Sequence, residues 1–268
     1  MYALVRIASA RLLVRIGTAI LWLFFGAIPA CALEVAALTE SLPPLSYEQN
    51  GKVVGFSSEL LDLMARDADI TIHKQVLPWS RAYDMVGRQG NMLIYSLART
   101  PEREGLFQWV GPISERRILL YRHRDRIDIN LKTLDDARPY RIGVARDSAS
   151  AKTLVKQGFA INGLRDTLGP GLDLGTNDEL NMKKFIARRF ELLVSLDWAA
   201  AYNAKKAGLP PDDLQPAWVL DESLSYWYGV SMATDPEVAK KLNAALLRLK
   251  ADGRYLQLKQ KYMPRVNR

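Results

Sequence analysis

Cysteine, histidine and long apolar runs are scarce in this chain. It has one cysteine and two histidines in 268 residues. The cysteine, Cys31, lies in an N-terminal apolar segment, so the remainder has no thiol for a disulfide or a nucleophile. His73 falls in a strand-like run and His123 in a basic connector, which argues against a Ser-His-Asp triad and a multi-histidine metal site. GxSxG, P-loop and complete GxGxxG patterns are missing, and the hydrolase and nucleotide chemistries they carry lose their usual footing. Low-complexity tracts and internal repeats are also missing, and past residue 32 no apolar run is long enough to span a bilayer.

What is present is ordinary globular material, 49% hydrophobic and 25% charged, long enough for one large domain or two lobes of about 100–130 residues. Residues 1–32 read as a secretory signal: basic Arg6, Arg11 and Arg15, an uncharged stretch from Ile16 to about Ile28, then Ala30-Cys31-Ala32 as a small-x-small cleavage site. Cleavage after Ala32 is preferred to lipid anchoring through Cys31, because Pro29 fits a lipoprotein box badly. The formal net charge of +8 then drops, leaving 34 basic against 29 acidic residues. That mild excess suits an anionic ligand or a negatively charged envelope. The densest basic cluster, Arg122-His123-Arg124-Asp125-Arg126, is interrupted by an acid and has no interleaved aromatics, so nucleic acid is not an expected partner.

Short apolar strands alternate with amphipathic helices, the pattern of an α/β protein with largely parallel sheets. Strands are expected at 34–38, 70–76, 92–95, 117–121, 141–145, 190–196 and 225–232. Asn50-Gly51 marks a turn within 47–54. A serine at Ser57 or Ser58 is expected to cap a helix carrying Leu60, Leu61, Met64, Ala65 and Ala68 on one face. Gly158 is a plausible residue just past a helix end, Thr176 or Asn177 caps the next helix, and Asp235-Pro236-Glu237 opens the last long one.

The stretch Tyr95-Ser96-Leu97-Ala98-Arg99-Thr100-Pro101-Glu102-Arg103-Glu104 follows a strand-like run where the chain turns towards a helix. Backbone N–H groups, a hydroxyl and a guanidinium fork gathered there make a receptor for a small carboxylate. With Leu42-Pro43-Pro44-Leu45-Ser46-Tyr47, Asn50 to Phe56, Gly111-Pro112-Ile113 and Ala251-Asp252-Gly253-Arg254-Tyr255, in that order, the chain resembles the family 3 extracellular solute-binding proteins. These are the polar amino-acid receptors of bacterial ABC importers. The variant 78–83 and 98–112 segments look like a divergent branch.

The resemblance implies a type II, two-lobed periplasmic binding protein fold with two crossover strands as hinge. Residues 33–118 plus 226–268 would form lobe 1 and 119–225 lobe 2. A monomer in the periplasm would hold a carboxylate-bearing solute between the lobes and hand it to an ABC permease in the inner membrane, with no cofactor. Arg103 matches the family arginine that forks onto a ligand carboxylate, and Ser96 with the N–H groups near Ala98 and Thr100 would complete the cradle. Ala98 stands where a hydroxyl is common. Ser148 matches the family's lobe 2 loop in position, with Asp147 in place of a glycine; an N-cap role explains it equally. Asp197 falls one residue after the place of the ammonium-binding acid, and so reads as ligand contact or as helix cap. Trp79 and Tyr47 are candidate cleft walls, and Glu40 either projects into the cleft or is a solvated loop acid. The same scaffold could instead serve a dehydratase that uses Glu40 or Asp197 for proton transfer, or a ligand sensor that docks on a membrane receptor.

Overall fold

The computed structural model describes residues 33–146, 148–162 and 169–262. The expected signal at 1–32 and Asp147 lie outside them. β1 (Leu33–Thr39) leads to a hairpin of β2 (Tyr47–Gln49) and β3 (Lys52–Val54), then α1 (Phe56–Ala68), β4 (Ile70–Val76), α2 (Trp79–Arg88) and β5 (Met92–Ala98). A 3-10 turn, Pro101–Leu106, precedes the long β6 (Phe107–His123). Next come β7 (Arg141–Ala145), α3 (Ala149–Lys156), β8 (Gly171–Gly175), α4 (Asp178–Ile186), β9 (Leu192–Leu196) and α5 (Asp197–Lys206). The equally long β10 (Leu214–Ser231), α6 (Pro236–Ala251) and α7 (Arg254–Tyr262) follow.

Several elements follow directly from local sequence. Asn50 and Gly51 take φ of 52° and 71°, as a two-residue hairpin turn with matching twist requires. Asp235 caps α6 by accepting from Glu237 N at 2.9 Å, with Pro236 at the first helical position. Asn177 caps α4 through Leu180 N at 2.8 Å. The expected serine cap of α1 is corrected. Gly55 precedes the helix without a side-chain cap, and the carbonyls of Pro44 and Leu45 accept from Phe56 N and Ser57 N at 2.9 and 2.8 Å instead. The helix's first donors are satisfied by backbone, so a hydroxyl there has nothing to add.

Eight strands form one sheet in the order β4-β1-β5-β10-β6-β9-β7-β8. β1 pairs parallel with β5, and β7 parallel with β8 and β9. Between these sets run β10 and β6, antiparallel to each other and to their outer neighbours β5 and β9. Since β6 lies antiparallel to β10 and β10 to β5, β6 points the same way as β5; β9, antiparallel to β6, points the opposite way. The parallel strands of the two halves therefore aim their carboxyl ends at the middle of the β6–β10 pair from opposite sides. Each half has its own core. Leu38, Ile94, Leu97 and Phe107 pack against Ala82 and Val86 of α2. In the other half, one cluster with Ile142, Leu154 and Val194 and another with Phe185, Phe190 and Leu193 cover the two sheet faces. Fully burying each of the leucine, isoleucine, valine and phenylalanine side chains among these stabilises by about 1.5–3 kcal/mol.

Candidate functional site

Open α/β sheets offer ligand sites beyond the carboxyl ends of their strands. Here two such ends face one another. Register puts Ala98, the last residue of β5, opposite Tyr226 of β10, and Tyr226 opposite Ser114 of β6. Leu196, the last residue of β9, lies opposite Ile118 of β6. Glu40 follows directly after β1 and Asp197 directly after β9. Directly paired residues share a sheet face, so Ala98, Tyr226 and Ser114 line one row. Burial pushes the Tyr226 hydroxyl up to about 12, and Arg116, Asp197 and Glu40 all act on it electrostatically. The row thus joins the ends of both halves. The sequence reading singled out neither Tyr226 nor Ser114.

Arg103 sits on the 3-10 turn just past β5. Its Nη1 donates to the Ala98 carbonyl at 3.0 Å, and its guanidinium carbon lies 5.5 Å from the ring centres of both Trp79 and Tyr83. Trp79 itself rests on Tyr83, 5.6 Å between centres. Among the described residues, no carboxylate forms an ion pair with Arg103. Arg99 is different: it forks onto Glu104 and lies 4.5 and 5.3 Å from the Trp227 and Trp109 rings. One arginine is already neutralised and the other is not.

Ser96 is 5% exposed and takes φ of 57°, the left-handed region that a non-glycine residue occupies at a cost of about 1 kcal/mol or more. The register slips here: Leu97 pairs with Trp227 but Ile94 with Gly229, so β5 carries an extra residue. Bulges of this kind re-aim side chains beside sites. A hydroxyl chain supports it, with Ser96 Oγ 3.2 Å from Ser46 Oγ and Thr39 Oγ1 donating to Ser46 Oγ at 2.9 Å. Ser46 in turn donates to the Glu40 carbonyl at 3.2 Å. Glu40 is half-buried, and burial alone raises its carboxyl.

Ser148 is the N-cap of α3, accepting from Ala151 N at 3.1 Å. For Asp197 the cap reading is corrected. Leu196 occupies that position and Asp197 is the first helical residue, accepting from Trp198 N at 2.8 Å. Tyr47 meets Tyr202 of α5 with centres 5.8 Å apart, and Phe56 meets Trp198 of α5 at 4.8 Å. The first turns of α5 thus lie against the β2 and α1 side of the molecule. Among the described residues no group of three or more His, Cys, Asp or Glu is placed to hold a metal ion. A cavity of about 400 Å³ lies instead at the far end of β6, lined by His123, Arg124, Asp125, Arg188 and Asp213. Two of its charges, Arg188 and Asp125, are tied to each other by two 2.9 Å bonds.

Asp197 is 9% exposed, and burial raises its carboxyl to about 6 against the bond from Trp198 N and the nearby Arg117. A raised acid weakens the fold once ionised. The cost starts above the ordinary value of 3.8 and is complete above about 6, on the order of 2–3 kcal/mol. Asp197→Asn should therefore raise the melting temperature of the ligand-free protein at pH 7, with the gain disappearing by pH 4. Parallel pH–Tm curves for variant and parent would refute this.

Comparison with known proteins agrees with this architecture. Residues 35–265 match the family described as "Bacterial extracellular solute-binding proteins, family 3". A Bacillus subtilis (strain 168) protein named "Probable amino-acid-binding protein YxeM" is 24% identical over 235 residues, spanning 86% of this chain and 83% of the relative. Substrate binding domain 2 of Lactococcus lactis GlnP, in its open conformation, superposes with TM-score 0.67 at 18% identity, over 89% of this chain and 98% of that one. A histidine kinase sensor domain similar to periplasmic binding proteins superposes at 0.63 and 19% identity, over 86% and 96%. The fold is the two-lobed binding-protein fold. With the family match spanning nearly the whole sequence after residue 34, the chain belongs to the bacterial extracellular solute-binding proteins, family 3.

Proposed function

We propose that this protein captures a small carboxylate-bearing solute, an amino acid or a close relative, between two lobes and delivers it to an ABC importer. The observation that carries this reading is Arg103: a half-buried guanidinium beside the strand ends, with one donor engaged by a carbonyl and, among the described residues, no carboxylate paired with it. A bidentate partner there would be short, directional and shielded as the lobes close. Ser96, and the N–H groups around Ala98 and Thr100, lie next along the chain, and Trp79 offers a flat wall under the same guanidinium. Ser148, Asp197, Tyr47 and Glu40 complete the contact set from the surrounding elements. Residues 33–118 with 226–268 make up one lobe and 119–225 the other, with β6 and β10 as the connections. Closure follows from a ligand that needs groups of both lobes, since only the closed form offers both. The protein works as a monomer in the periplasm after losing residues 1–32, and no catalytic role is assigned to it.

A thermal-shift screen of the mature chain against amino acids, dicarboxylates and small peptides tests this. A carboxylate ligand should raise the melting temperature, and the same ligand with its carboxyl amidated should not. Equal shifts from both would overturn the role of Arg103. A second reading, a ligand sensor for a membrane receptor, is favoured by the fold shared with the histidine kinase sensor domain. Loss of ligand uptake on deleting this protein supports delivery; unchanged uptake with a lost transcriptional response on the same deletion supports sensing.

A further inference from the structure

Helix α5 turns its two sides to two different neighbours. Ala200 and Ala204, one turn apart, belong to the core cluster of Phe185, Phe190 and Leu193 in their own half. Trp198 and Tyr202 are also one turn apart, and they lie about 200° round the helix from that pair. Trp198 joins neither core cluster of its half, yet it is only 2% exposed. A ring on the outer side of a helix stays out of water only if another element covers it. Here the cover is Phe56 of α1, with ring centres 4.8 Å apart and planes inclined by 32°. One turn further along, Tyr202 meets Tyr47 of β2 at 5.8 Å. The α1 side of this contact is firmly held. Phe56 is fully buried, its N–H donates to the Pro44 carbonyl at 2.9 Å, and its ring meets Tyr255 edge-on at 5.8 Å. The Tyr255 hydroxyl in turn donates to the Ile113 carbonyl at 2.8 Å.

From this helix face, which its own lobe leaves uncovered and the other lobe buries, we infer that Trp198 and Tyr202 form an aromatic clasp with Phe56 and Tyr47 that draws the two lobes together by itself. They are thus positioning residues for capture. The inference rests on the two-lobe division proposed above and not on the identity of the solute. Pulling the lobes apart brings the Trp198 ring into water, so the clasp biases the protein towards its closed form. A solute that bridges the lobes then adds to a closure the protein already favours in part. The apparent affinity for any such solute scales with the closed fraction, because binding has less of the closing left to do.

Past residue 31 the chain has no cysteine, so a pair of spin labels can be attached at chosen sites alone. Ser80 of α2 and Lys152 of α3 are exposed near the starts of helices that follow the carboxyl ends of β4 and β7. Labels at Ser80→Cys and Lys152→Cys therefore span the gap between the lobes. Double electron–electron resonance on the mature chain without added solute should show a short-distance population. Trp198→Ala should lower the ratio of short to long distances at least about fivefold and Tyr202→Ala about threefold. Trp198→Phe, which keeps a ring, should retain most of it. Melting curves check each variant for folding. Tyr202 is half-buried, so its variant decides the matter if Trp198→Ala does not fold. The same distance distribution in the parent and the folded variants would overturn the clasp. Calorimetric titration with L-arginine, L-glutamine and L-glutamate gives a second readout. Any of the three that binds the parent should lose affinity in step with the closed fraction, and unchanged affinity would overturn the clasp's part in capture. Binding of none would defeat the capture function, while the distances alone decide the clasp.

Discussion

Arg103→Ala will remove measurable solute binding while leaving the protein folded. In the unliganded protein this side chain makes one hydrogen bond, to the Ala98 carbonyl, and rests on the Trp79 and Tyr83 rings. Losing that bond and the stacking costs on the order of 1–2 kcal/mol of stability, a drop of roughly 2–8 °C in melting temperature for a chain of this size. Binding loses far more. Removing one partner of a desolvated charge pair costs about 2–5 kcal/mol, because the ligand carboxylate is left without a counter-ion. That corresponds to roughly 30- to several-thousand-fold in affinity. Arg103→Lys keeps the charge but not the two-pronged geometry, so it should recover part of the affinity and not all of it. Calorimetric titration of the three proteins reads the outcome. Unchanged affinity in Arg103→Ala would place the carboxylate elsewhere, and full recovery in Arg103→Lys would show that charge alone matters.

Local chemistry made most of the elements legible in advance. Asp235-Pro236, Asn50-Gly51 and Asn177 each specify their turn or cap with residues that nothing distant overrides. The two long strands were read only in part, as 117–121 and 225–232, although they run from Phe107 to His123 and from Leu214 to Ser231. Their middles carry Arg116 and Arg117, ion-paired with Asp221 and Glu222 across the two strands, and Glu115, paired with Lys259, and the pairing slips several times. Charge and bulges together break the period of two that reveals a strand. The motif around Ser96 and Arg103 was visible because its members are neighbours in sequence. Ser114 and Tyr226 were not, since their significance comes from pairing across more than a hundred residues. Asp197 was expected as a ligand contact or as the helix cap, and the cap falls one residue earlier, at Leu196. That residue closes the strand, and a helix boundary is defined by backbone geometry that single residues specify only to within a position or two.

Gly55→Ala should do the greatest structural damage of any one-methyl change in the first half of the chain. Gly55 has φ 114° and ψ 166°, a region almost closed to residues with a Cβ and costing on the order of 1–3 kcal/mol by itself. A methyl there would also lie 2.6 Å from the Leu45 carbonyl oxygen and 2.8 Å from that of Pro44. Both obstacles are backbone, and both carbonyls already hold the first two N–H groups of α1. Relief therefore requires the 44–45 segment to withdraw, which uncaps the helix and leaves buried donors unsatisfied at about 1–3 kcal/mol each. A combined loss of roughly 3–5 kcal/mol should lower the melting temperature by about 6–20 °C. The damage should reach the site as well, because Ser46 is the next residue and links Thr39, Ser96 and the Glu40 carbonyl. Gly51→Ala provides the control: its φ of 71° is strained but nothing lies within 4 Å of the new methyl, so its loss should stay near 1 kcal/mol. Equal melting temperatures for the two variants would show that the close approach of Gly55 to the 44–45 carbonyls does not hold this corner of the fold.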